Sequence, residues 1–164
     1  MSSQSIQENP TSSNTVVGYL KIPDIAGESN AVRFEDQIEI FGLSSLIEQG
    51  SAARVGKGRR RARAQVSPMY VVKRIDSATP YVMLASMQGR SFPDMVITLV
   101  ESESSNQIAY FIVTLENVTI IKHQFDSSSN RQEIISLSYE NITVKYVSND
   151  GSEHEITFDV AAGV

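Results

Sequence analysis

The chain contains no cysteine. That excludes disulfides, thiolate metal sites and cysteine nucleophiles, and it suits either the cytoplasm or the cell exterior. Histidine is nearly as scarce. His123 and His154 are the only two, and neither has a companion ligand at metal spacing, so each reads as a surface strand residue. No run approaches the roughly twenty apolar residues that a membrane-spanning helix needs, and no membrane contact is expected. The first fifteen residues lack both the basic start and the apolar core of a secretory signal; rich in Ser, Gln, Asn and Thr, residues 1–15 read as a disordered polar tail. Positive charge is in deficit, with 14 Lys and Arg against 19 Asp and Glu and a net charge of −5, which argues against a general nucleic-acid binder. Phosphate-cradling motifs are missing as well, since Gly56-Lys57-Gly58 is followed by arginine where a hydroxyl is needed. Glu101 and Glu103 fall at a Ser-rich turn and read as solvated charges, not as an acid/base pair. No catalytic constellation survives this search, so neither enzyme activity nor a metal or cofactor is expected. Two glycosylation sequons, Asn117-Val118-Thr119 and Asn141-Ile142-Thr143, fall inside predicted strands.

What is present is strand. At 164 residues the chain is long enough for one domain, residues 16–164, that removes roughly two-thirds of its unfolded surface from water. Ile108 to Tyr146 is its most informative stretch: two limbs rich in β-branched and aromatic residues, separated by the turn chemistry of Asp126 to Asn130, which together read as a long antiparallel hairpin. Leu115-Glu-Asn-Val-Thr-Ile120 recurs as Tyr139-Glu-Asn-Ile-Thr-Val144, and folding about Ser128 sets the two Glu-Asn pairs nearly opposite. At each pair the apolar phase slips by one residue. Ile135, Leu137 and Tyr139 share one parity, then Ile142, Val144 and Tyr146 share the other. Paired bulges that bend a ribbon from one sheet to another absorb such a slip.

Earlier in the chain, Val16 to Ile22 reads as a first strand stopped by Pro23, and Gly27 in the following loop is expected to take a positive φ. Glu35 to Leu43 reads as a second strand with Ile38 and Ile40 inward. Val66 to Ile75 is a third, broken at Pro68, and Met95 to Glu101 a fourth. Between them the pattern predicts one short helix, with Thr79 as N-cap, Pro80 at the first position and Gly89 as its close. Ser148-Asn-Asp-Gly-Ser152 is a tight turn that sends Glu155 to Val160 back beside the second limb. About seven or eight strands result.

Ser44 to Gln65 loses all pattern and reads as a long projecting loop. It carries Arg54, Lys57, Arg59, Arg60, Arg61 and Arg63, and no aromatic residue between Leu43 and Ser67 stands ready to stack on bases. Three readings are open: a solvated loop, a contact with an acidic surface of another subunit, or a nucleic-acid element.

Several segments together resemble the haemolysin-coregulated proteins, the Hcp family of bacterial type VI secretion. They are Lys21-Ile-Pro-Asp-Ile-Ala-Gly-Glu-Ser29, Val72-Lys-Arg-Ile-Asp-Ser-Ala-Thr-Pro80 with Leu84-Ala-Ser86, Gly89-Arg-Ser-Phe-Pro93, Thr114 to Val118, and Ser136-Leu-Ser-Tyr139 with Val144-Lys-Tyr146. The resemblance runs from about Val17 to Val160. It implies a mainly β fold: a small antiparallel β-barrel of two packed sheets, with one short α-helix and a long projecting loop. It also implies hexameric rings that stack into a tube, a contracting sheath, a spike protein and effector proteins in the lumen. Such a protein waits in the bacterial cytoplasm and is then secreted without a signal peptide. On this reading the six basic residues of the Ser44 to Gln65 loop belong to ring stacking. Ile108, Tyr110, Ile112, Glu116 and Asn117 become candidate subunit-interface residues. The alternatives from the residues themselves are a monomeric OB-like barrel binding single-stranded nucleic acid through the basic loop, and a phage-like tail-tube protein.

Overall fold

Ile38 and Ile40 alternate with Glu39, and both isoleucines are fully buried, because a strand that covers a core turns every second side chain inward. The same rule builds most of the molecule. The computed structural model describes residues 12–49, 64–103, 106–127 and 130–164. It contains strands β1 (Gly18–Lys21), β2 (Ile38–Ser44), β3 (Ile47–Gln49), β4 (Ala64–Val66), β5 (Met69–Arg74), β6 (Ser91–Glu103), β7 (Asn106–Phe125), β8 (Gln132–Ser138), β9 (Asn141–Val147) and β10 (Glu153–Asp159), with helix α1 (Thr79–Gln88) between β5 and β6. The sheet order is β10-β9-β7-β6-β1-β2-β5-β8, and β8 pairs with β7 as well. Six strands therefore close into an antiparallel barrel. The pair β9 and β10 leaves it as a flap.

The expected two-sheet barrel is realised as one sheet bent at a corner. In β7, Leu115 and Val118 are both buried although three positions apart; Phe92 and Met95 do the same in β6, and where β8 gives way to β9 the buried Tyr139 is followed three positions on by the half-buried Ile142, packed on the same core. All three strands slip phase at one level. Asn117 takes a left-handed φ of 53° there, and its side-chain N–H donates to Glu140 Oε2 at 2.9 Å. Glu116 pairs with Asn141, and its carbonyl accepts the Glu140 N–H at 3.0 Å. At this corner β7 exchanges partners, pairing with β9 through Phe111 to Glu116 and with β8 from Thr119 onward. The Glu-Asn repeat is thus the bend that the phase slip predicts. Pro93, opposite in β6, continues the same corner and had no repeat to announce it.

Several local expectations need correction. Gly27 is not a positive-φ residue; that conformation falls on Asp24, at 66°. Gly27 is required instead by close approach, since a Cβ there would sit 2.3 Å from the Gln37 carbonyl oxygen. Glu35 to Gln37 stays outside β2 because Asp36 takes a φ of 60°. The loop from Ser44 to Gln65 is not patternless at its ends. Ile47 pairs with Val66, Glu48 with Gln65 and Gln49 with Ala64, giving a two-stranded ribbon. Leu46 and Ser67 fasten its base through two hydrogen bonds of 2.9 Å. At the other end of the chain, residues 1–11 of the polar tail lie outside the described residues, whereas Ser13 already donates its N–H to the Phe41 carbonyl at 2.7 Å.

Helix α1 buries Val82 and Ala85 against the barrel and leaves Tyr81, Leu84 and Met87 exposed. Gly89 closes it in the left-handed conformation, at φ 60°, with Arg90 N–H bonded to Ala85 O. Ala78, not Thr79, is the N-cap. The Thr79 hydroxyl is engaged elsewhere.

Candidate assembly surfaces

Thr79 belongs to a buried polar cluster under the start of α1. Lys73 on β5 and Glu133 on β8 are both fully buried, and Lys73 Nζ lies 2.5 Å from Glu133 Oε2. An ammonium has three N–H groups, and here four oxygens surround it: that carboxylate, Asp76 Oδ1 and Arg74 O at 2.9 Å, and Thr79 Oγ1 at 3.2 Å. Glu133 Oε2 also accepts the Thr79 hydroxyl at 2.6 Å, while its Oε1 lies 2.7 Å from His123 Nε2 on β7. Asp76 in turn accepts the Ala78 N–H at 2.9 Å, which satisfies a free donor at the helix start. His123, expected on the surface, is therefore largely buried and paired. The Val72 to Pro80 segment carries Lys73, Asp76 and Thr79, so this part of the family signature encodes a lock joining β5, β7, β8 and α1. Lys73 faces two carboxylates, those of Glu133 and Asp76, so the cluster is a structural ion-pair network. Among the described residues no group of three metal-ligating side chains gathers.

The flap is different. Register puts Val113, Val144 and Ile156 on one face, with Leu115, Ile142 and Phe158, and with Tyr146 and His154. Near β7 this face is barrel core. Farther out it is uncovered: Tyr146 is 46% exposed and Ile156 61%. Tyr146 stacks on His154 with ring centroids 6.4 Å apart. The opposite face is polar, with Thr143 and Thr157 hydroxyls 3.0 Å apart and Lys145 facing Glu153 at 3.7 Å. β10 ends the sheet, so one edge of its backbone N–H and C=O groups has no strand partner in the described chain.

The candidate interface residues divide. Ile108 and Ile112 share parity in sequence, but between the pairs Phe111–Leu99 and Ala109–Val100 the register shifts. Tyr110 is the extra residue. The bulge sends Ile108 to the face of Glu101 and Leu99, and leaves Ile112 on the opposite face with Thr98 and Lys145. Ile108 is 47% exposed at the tip of the β6–β7 hairpin. Glu116 and Asn117 are the corner itself. Arg54, Lys57, Arg59, Arg60, Arg61 and Arg63 lie outside the described residues.

A family model described as "Type VI secretion system effector, Hcp" matches residues 19–146, well over half of the chain. The chain belongs to the Hcp family. The family's members are structural tube proteins of type VI secretion, and this chain shares their mainly β barrel with a single helix. Protein hcp1 of Pseudomonas aeruginosa is 25% identical over 131 residues, covering 78% of this chain and 81% of that relative. Among solved structures, Hcp1 of Salmonella typhimurium superposes with a TM-score of 0.76 at 21% identity, covering 91% of this chain and 98% of the other. A type VI secretion system effector from Yersinia pestis gives 0.73 at 20% identity, covering 87% and 98%.

Proposed function

We propose that the chain acts by assembly and not by catalysis. Six copies close head to tail into a ring, and rings stack into a tube. A contracting sheath drives that tube out of the cell behind a spike protein, with effector proteins in the lumen. The subunit waits in the cytoplasm and leaves without a cleaved signal. Neither nucleic acid nor membrane is a partner. The observation that carries the reading is the flap, which extends a closed barrel by two strands and exposes Tyr146 and Ile156 beside an open edge. A monomer in water has no use for such an extension, since an exposed flat edge with an apolar face invites pairing. A neighbouring copy covers both in a heterologous contact, and heterologous contacts close into rings when the rotation suits. The number six follows from the family. Ile108 and Tyr110 at the hairpin tip, and Ile112 on the outer face of β7, are assigned to the same ring walls, with Glu116 and Asn117 shaping them. The basic residues from Arg54 to Arg63 are assigned to contacts between rings.

Electron microscopy of the purified protein tests this in one view, with rings or short tubes as the expected result. Ile156→Glu, which places a charge on the uncovered flap face without touching the barrel core, is expected to abolish rings and give folded monomers. A wild-type protein that stays monomeric at tens of micromolar would overturn the proposal.

A further inference from the structure

Phe41, Val72 and Ile134 form an apolar cluster separate from the barrel core. Lys73 and Ile135, their neighbours along β5 and β8, point inward, so Val72 and Ile134 lie on the barrel's outer face; Phe41 sits at the bulge between Ile40 and Gly42. An outer face carrying these side chains is normally wet or sticky. Here Phe41 is 6%, Val72 1% and Ile134 8% exposed. The cover is the segment Ser12 to Val17. Val16 packs on the cluster. The Ser13 N–H donates to Phe41 O at 2.7 Å and the Val17 N–H to Ile40 O at 2.9 Å. Arg74 stacks its guanidinium 4.2 Å from the Phe41 ring centre and reaches the Asn14 carbonyl at 3.4 Å. Between the anchors the segment is folded on itself, with Thr15 N–H bonded to Ser13 Oγ at 3.1 Å.

This segment precedes the part of the chain that matches the family, which begins at residue 19. It is held by backbone bonds and one valine. We propose that Ser12 to Val17 is an intramolecular strap, and that the strip under it is a strand-docking surface whose resident occupant is this chain's own segment. A surface of Phe41, Val72 and Ile134 with the Phe41 carbonyl beside it accepts a short, uncharged segment with one β-branched side chain, and residues 12–17 supply it. The strap keeps this face out of contacts between copies. The proposed ring contacts use other surfaces, so the inference stands or falls separately from the assembly reading.

The test uses the full chain with Val16→Asp, which charges the side chain facing the cluster, and with Ser13→Pro, which removes the N–H that Phe41 O accepts. Val16→Ile is the control. Each variant is compared with wild type for fluorescence of an apolar-surface dye and for particle size, whatever size wild type itself has. The expected result is a rise in dye fluorescence and a shift to larger species for Val16→Asp and Ser13→Pro, with Val16→Ile unchanged. Unchanged fluorescence would show that the strap covers nothing that matters. A rise without a size shift would remove its role in keeping copies apart. Loss of the fold by either variant would make the segment part of the core, and that too overturns the proposal.

Discussion

Lys73 and Glu133 show what a single residue pair does in this barrel. Two charges are taken fully out of water, and each is surrounded by hydrogen-bond partners of the protein. Removing one partner strands the other in a medium that solvates it poorly, so Lys73→Met alone is expected to cost about 3–5 kcal/mol. The double variant Lys73→Met/Glu133→Leu removes the two fully buried charges and is expected to recover part of that loss, because Asp76 still loses its ammonium partner. Urea unfolding of the three proteins measures it, and a double variant no better than the single one would show that the lock adds stability beyond charge matching. The motif segment that carries Lys73 does not name Glu133 as its partner. Lys73 looks like a polar break in an apolar strand, and its partner lies 60 residues away. His123 reads as a surface residue for the same reason: a lone histidine in a strand has no local signal for the carboxylate that β8 brings to it.

At the scale of the element, the corner and the flap turn are the informative pieces. Asn117 holds a left-handed backbone that costs an ordinary L-residue roughly 1–2 kcal/mol, and asparagine tolerates it better than most. Asn117→Gly is therefore expected to lose little more than the Glu140 hydrogen bond, while Asn117→Val adds the backbone strain of a β-branched side chain. Thermal melts that rank wild type, glycine and valine in that order bear this out. In the turn between β9 and β10, the Asp150 carboxylate accepts the hydroxyls of Ser148 and Ser152, each at 2.7 Å, and the Ser152 N–H at 2.9 Å. These bonds favour the ionised form and pull its pKa from 3.8 down to about 2. The sign follows: a depressed carboxylate stabilises the folded turn above pH 3.8 and loses that contribution as pH falls toward about 2. An NMR titration of the Asp150 carboxyl with a midpoint near 2, against an ordinary value in Ser148→Ala/Ser152→Ala, checks it. The Glu-Asn repeat and the Asn-Asp-Gly turn were both readable beforehand, because local backbone chemistry encodes them. Pro93 and the Tyr110 bulge were not, since a phase slip without a repeat looks like noise.

For the whole molecule, charge is the remaining lever. Six basic residues between Arg54 and Arg63 sit in a chain of net charge −5, so under the proposed assembly changing Arg59, Arg60 and Arg61 to Glu is expected to leave single rings intact and to weaken their stacking. The wild-type stacking contact should also fade at high salt, because exposed charges are screened beyond about 10 Å at 0.1 M. Tube length by electron microscopy reads both effects, and tubes unchanged by the charge reversal would remove these residues from the stacking contact. By itself the sequence determined that this is a β protein with one helix and a bent hairpin, because alternation and turn residues are local physics, and its motif segments carried the resemblance to the Hcp family. Only the tertiary structure decided how the sheet closes, which face of β7 each interface candidate takes, and which charges are buried together. Those depend on strand register, where one bulge reverses a face, and on partners far apart in the chain.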